Sequence, residues 1–175
     1  MKPMRKVTAQ IWKWIIYFLL LFVLFVLQTT VTLHAVFEIL PVLIVPFVVA
    51  VSMQEREVFA LVFGVVAGFM WDYSSGKVSG FNAAILMICC IAISLLTLYL
   101  VGNNSLNAMF LCASTMVIQG LLDFLFGYAI HGYENSWYIL VRYILPIILY
   151  TVVVTPFIFW LVRFVHNWFE KRIEQ

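Results

Sequence analysis

Residues 57–83 read EVFALVFGVVAGFMWDYSSGKVSGFNA, and whether the chain crosses a membrane five times or six turns on this stretch. Its apolar part, Val58 to Trp71, rises only about 21 Å as a helix, against a hydrocarbon thickness of roughly 30 Å. Three outcomes are open to so short a run. It extends to Tyr73, it thins the bilayer locally, or it enters part way before the turn Ser74-Ser75-Gly76-Lys77. The basic residues decide between five spans and six, because Lys and Arg in short loops set topology while Asp and Glu contribute little. With six spans, Lys2, Arg5, Lys6, Lys13, Arg56, Arg163, Lys171 and Arg172 share one side, and only Lys77 and Arg142 fall on the other. Skipping the short run exports Arg163, Lys171 and Arg172. Six spans with both termini in the cytoplasm is the expected topology.

Composition agrees with a membrane protein. The chain is 65% hydrophobic and 10% charged over 175 residues, where soluble domains have roughly 45–50% apolar and about 25% charged residues. A soluble globular domain is excluded, and six spans at about 20 residues each leave room only for loops and short tails. The expected fold is an all-α polytopic membrane protein, a six-helix bundle spanning 11–27, 35–53, 57–73, 81–101, 106–130 and 137–165, between a basic tail 1–10 and a cytoplasmic tail 166–175. The first run follows Lys2, Arg5 and Lys6 as a secretory signal would, yet Gln28-Thr29-Thr30 comes next with no small-x-small cleavage site, so it reads as a retained span. Pro41 and Pro46 interrupt the second span, and Pro146 and Pro156 predict tilt or a kink in the last. The net charge is +2 with its basic residues mainly at the ends, which makes nucleic acid a poor partner. Cys89, Cys90 and Cys112 lie inside apolar runs and read as small packing residues.

The ionisable residues left over are unevenly placed: His34, Glu38, Asp72, Lys77, Asp123, His131, Glu134 and Arg142 all map to the outer loops or outer half. Most read as interfacial; Asp72, Asp123 and Arg142 stand out, because a charge within a membrane is costly. On a helix, Ala60, Gly64, Gly68 and Asp72 share one face, the small-xxx-small pattern that lets two backbones approach. Packing within the chain and docking of a partner's helix are both open. Asp123 and Arg142 fall at similar depths on the fifth and sixth spans and are candidates for an ion pair. The alternative has Arg142 snorkelling to the headgroups while Asp123 meets water or Gln119. No paired carboxylates, nucleophile with base, metal-ligand cluster or phosphate-binding glycine loop is evident, and His34, His131 and His166 lie far apart. Neither a catalytic residue, a metal nor a cofactor is assigned.

The pattern Gly64-x-x-x-Gly68-x-x-x-Asp72-x-x-Ser75-Gly76-x-x-x-Gly80-Phe81-Asn82-Ala83 resembles the rod shape-determining membrane protein MreD family, specifically its third-span ending and its entry into the fourth. The basic start, Gln28 closing the first span, Pro41-x-Leu43 and the chain length support the likeness. The resemblance implies a non-enzymatic scaffold of the bacterial cell-elongation machinery that maintains rod shape by organising lateral peptidoglycan synthesis. It would sit in the cytoplasmic (inner) membrane with the partner MreC and, indirectly, MreB, RodA and a class B penicillin-binding transpeptidase. On it Ala60, Gly64, Gly68, Asp72, Gly76, Gly80 and Asn82 become candidates for helix packing or partner binding. The family fold is similar to the substrate-binding subunit of energy-coupling-factor transporters, so a small-molecule or vitamin-binding subunit is the rival reading. Such subunits carry Ala-x-x-x-Ala in the first span; Ile11 to Leu27 contains neither alanine nor glycine.

Overall fold

The computed structural model describes residues 3–30, 42–75, 80–126, 142 and 145–174. Among them run six helices: α1 (Pro3–Thr30), α2 (Ile44–Gln54), α3 (Glu57–Ser75), α4 (Phe81–Tyr99), α5 (Ser105–Phe124) and α6 (Leu145–Glu174). Five of the six, all but α2, are long and apolar enough to cross a membrane. Large apolar side chains such as Trp12, Phe22, Phe110, Phe157 and Trp160 stand on the outside of the bundle.

Consecutive helices alternate in direction, and side-chain contacts mark the two ends. At one end Lys13 of α1 meets Glu55, which follows α2, at 2.7 Å, and Glu170 of α6 at 2.9 Å. Ser94, late in α4, donates to the Glu55 carbonyl at this same end. At the other end the Ile44 N–H donates to Gln28 Oε1, the Val42 N–H donates to Thr151 Oγ1, and α3 closes onto the start of α4 through Asp72. Both described ends of the chain thus lie at the Lys13 end.

The expected weak third span is a full helix. α3 has 19 residues, about 28 Å. The apolar run stops at Trp71, but the helix does not, because its polar residues are satisfied locally. Ser74 and Ser75 donate back to the carbonyls of Trp71 and Asp72, and the Asp72 carboxylate is covered by backbone amides of α4. Glu57 in the first turn suits the positive end of the helix dipole.

The short element is α2, with 11 residues, or about 16 Å. Of the expected span 35–53, residues 35–41 lie outside the described residues, and the helix begins at Ile44. Every residue from Ile44 to Met53 is buried, and α2 packs against all five other helices. A helix apolar on all sides belongs inside a bundle, and Pro46 sits in the first turn, where a missing N–H is tolerated. The segments expected to be tails are helical as well: α1 starts at Pro3 and α6 continues to Glu174. The core around α2 is aromatic towards the Lys13 end, where Tyr17, Phe47 and Phe63 meet edge to face and Trp14 stacks on Phe59 at 3.9 Å. The three cysteines are buried free thiols.

The tightest contact is between α3 and α4. Ala60, Gly64, Gly68 and Asp72 are all buried. A methyl placed on Gly68 would fall on the Ala83 Cα, 2.6 Å from the Ala83 nitrogen and 2.9 Å from the Asn82 carbonyl carbon. At Gly64 the same methyl meets Cys90 Sγ and the Leu86 carbonyl at 3.0 Å. Backbone cannot rotate aside, so Gly68→Ala should lower stability by about 1–3 kcal/mol or more and Gly64→Ala by less. Phe69→Leu, on the exposed side of α3, should change little. Thermal unfolding in detergent checks the order; equal stability for Gly68→Ala and the parent chain would show that the helices separate at no cost.

Candidate functional site

Polar side chains gather at the two ends of the bundle. At one, Asp72 is 2% exposed and acts as the cap of the next helix. Its Oδ2 accepts the N–H groups of Gly80 at 2.8 Å and Ala83 at 3.4 Å, and Oδ1 accepts that of Asn82 at 3.0 Å. The first amides of a helix have no partner of their own, and α4 has no side-chain cap from its N-cap residue. That residue, Gly80, has φ +99°, a conformation that favours glycine, and it turns the amides towards α3. The carboxylate also opposes the positive end of the α4 dipole. Asn82 Oδ1 then accepts Gln119 Nε2 at 3.0 Å, which joins α5 to the pair. A cavity of about 200 Å³ opens beside them, lined by Trp71, Asn82, Gln119 and Asp123 among others.

The structure therefore places Gly68, Asp72, Gly80 and Asn82 in a single contact region, with Gly64 and Ala60 further along the same helix face. Gly76 lies outside the described residues, as do Lys77, His34, Glu38, His131 and Glu134. Asp123 lines the cavity on α5. Arg142 is exposed, with residues on both sides of it outside the described set. Neither residue is without an interaction.

Sequence reading missed the other end altogether. Glu55, with a side chain 8% exposed, sits in the turn between α2 and α3, and a single oxygen, Oε1, collects three groups. Lys13 Nζ lies at 2.7 Å, His166 Nδ1 at 2.8 Å, and the Tyr17 hydroxyl donates from 3.1 Å; Glu170 shares the same ammonium at 2.9 Å. Lys13 is 3% exposed, a buried ammonium held between two carboxylates. Burial alone would raise the Glu55 carboxyl, but hydrogen bonds from His166 and Lys13 and their charges outweigh it and hold the carboxyl below its ordinary 4.5. Two signals were available. Lys13 interrupts an apolar run between Trp12 and Trp14, and His166 and Glu170 stand one turn apart on the last helix.

An all-helical bundle with an apolar exterior, five helices fit to span a bilayer and buried polar clusters at its ends defines a polytopic helical membrane protein. The sequence profile described as rod shape-determining protein MreD matches residues 8–167. The chain belongs to that family, and membership carries a role in rod-shape determination. No curated protein and no solved structure matches the chain.

The depressed Glu55 carboxyl makes a pH prediction. Below 4.5 the unfolded chain binds a proton at this site that the folded chain refuses, so stability from the cluster is complete above that pH and is lost as pH falls. Thermal unfolding in detergent should show a drop below about pH 4.5. In Glu55→Gln the drop should be shallower, and the variant should be weaker at pH 7 by about 3–5 kcal/mol, because Lys13 loses its nearest counter-ion. An unchanged acid limb in Glu55→Gln would place the titration elsewhere.

Proposed function

We propose that the chain is a non-enzymatic membrane scaffold of the bacterial cell-elongation machinery, which maintains rod shape by organising lateral peptidoglycan synthesis with MreC. The observation that carries the reading is the family match over residues 8–167. MreB, RodA and a class B penicillin-binding transpeptidase are its indirect partners. The chain crosses the cytoplasmic membrane six times with both termini inside. Two observations support that topology: the eight basic residues on one side of the six-span reading, and the meeting of Lys13 with Glu170 at one end of the bundle. The α3 face of small residues and the Asp72 region serve helix packing and, through the assembled bundle, partner binding.

The rival reading, a vitamin-binding or other small-molecule subunit with the fold of an energy-coupling-factor transporter component, would use the cavity beside Asp123. Depletion of the protein in its rod-shaped host separates the two. Rods becoming spheres, with MreC co-purifying from undepleted cells, is the expected outcome; unchanged shape with a new vitamin requirement would favour the carrier.

Topology has its own test. In a background without Cys89, Cys90 and Cys112, a cysteine placed at position 173 should be inaccessible to membrane-impermeant thiol reagents added to whole cells. Labelling from outside would overturn the six-span topology.

A further inference from the structure

At the Asp72 end, the last turns of α3 and α5 and the first turns of α4 and α6 line the cavity of about 200 Å³, room for about seven waters. Asn82 and Gln119 meet on its wall and are 1% and 7% exposed. One hydrogen bond joins them, from Gln119 Nε2 to Asn82 Oδ1 at 3.0 Å, and it engages one end of each amide. Asn82 Nδ2 and Gln119 Oε1 have no hydrogen-bond partner among the described residues. Neither atom is sealed in, for both keep accessible surface on side chains that line the cavity. Turning both amides over leaves the same complement of one donor and one acceptor. Buried polar groups are almost always paired, so an occupant of the cavity completes this pair.

Water alone suits the space poorly. An ordered water needs roughly two to four polar partners, and Val42, Met116, Ile147 and Ile148 make much of the wall apolar. A few convergent polar groups on an apolar wall are the pattern of a small-molecule site. The unpaired atoms then narrow the class. A carboxylate ligand would leave Gln119 Oε1 without a donor and would lie in the same cavity as the Asp123 side chain. An ammonium would leave the Asn82 N–H without an acceptor. A neutral group with an acceptor and a donor side by side satisfies both, and a carboxamide has that form.

We propose that this cavity binds a small uncharged molecule through a carboxamide group. The ligand carbonyl accepts from Asn82 Nδ2, its N–H donates to Gln119 Oε1, and its apolar body lies against Met116, Ile147 and Ile148. Bound there, it strengthens the junction at which Gln119 joins α5 to α4. The assignment does not depend on the cellular role proposed above, because binding is read on the purified chain.

Ligand-observed NMR and thermal unfolding of the full chain in detergent test it, with benzamide as the probe and acetophenone, benzoate and benzylamine as analogues of similar size. Acetophenone keeps the acceptor but has no N–H for Gln119, benzoate is an anion, and benzylamine has no acceptor for Asn82. Benzamide should bind with a Kd on the order of 1 mM, at least about tenfold more tightly than each analogue, and should raise the unfolding temperature. Ile148→Phe, which fills the cavity and leaves both amides in place, should abolish the preference. Gln119→Leu, which removes the acceptor, should weaken benzamide about tenfold, to the level of acetophenone. Ile148→Phe carries the test if the Gln119 variant does not fold, and the comparison of probes on the parent chain stands without either variant. Equal binding of the four probes, or a preference kept in folded Ile148→Phe, would overturn the proposal. So would no binding of benzamide at about 10 mM, which would leave water as the occupant.

Discussion

A carboxylate drawn into an apolar bundle is unfavourable unless charges and hydrogen bonds surround it, and Glu55 meets that condition by holding most of the molecule together. It ends α2 and precedes α3 in the chain. Its side chain takes Lys13 and Tyr17 from α1 and His166 from α6, and its carbonyl accepts Ser94 of α4. Only α5 is absent from this junction. It is joined at the opposite end instead, where Gln119 reaches Asn82. Since α2 is the buried helix against which the others pack, the Glu55 junction fixes where that helix stops and therefore the depth at which its neighbours meet it.

The opposite end solves a different problem with a different device. Lipid provides no partner for the first amides of a helix, and α4 has no cap of its own. Asp72 reaches across from α3 to supply one, and it can do so because Gly68 lets the two backbones touch one turn below. Close packing and capping are thus one arrangement: widening the α3–α4 contact withdraws the carboxylate from the amides. The small residues and the aspartate recur at a spacing of four because each depends on the same helix face.

That coupling is why this region was legible in the sequence. Glycines at fixed helical spacing, followed by an aspartate and a glycine turn, constrain neighbours that are close along the chain. The Lys13 end gave no such pattern. Its contacts join residues 157 and 111 positions apart, and each member reads innocently by itself: a topology-setting lysine, a turn glutamate, an isolated histidine. The end of the third helix is hidden from hydropathy for a related reason. Hydropathy ends α3 at Trp71, since it cannot see that Asp72, Ser74 and Ser75 find their partners inside the protein. Nor does an apolar run show that α2 begins at Ile44. Membership in the MreD family, by contrast, rests on residues spread over 8–167 and is insensitive to those boundaries.

The Lys13 junction also imposes an order in time. Lys13 is made first and enters the bilayer region with an unpaired ammonium, a state that membrane insertion tolerates only near the interface. Glu55 arrives with the second helix and supplies the first counter-charge. His166 and Glu170 come on α6, 157 residues after Lys13 in the case of Glu170. A nascent chain that has not yet released α6 therefore has Glu55 as the one described counter-charge of Lys13. Completion of synthesis is what closes the bundle at this end: until α6 is made, Lys13 lacks one of the two carboxylates that hold it.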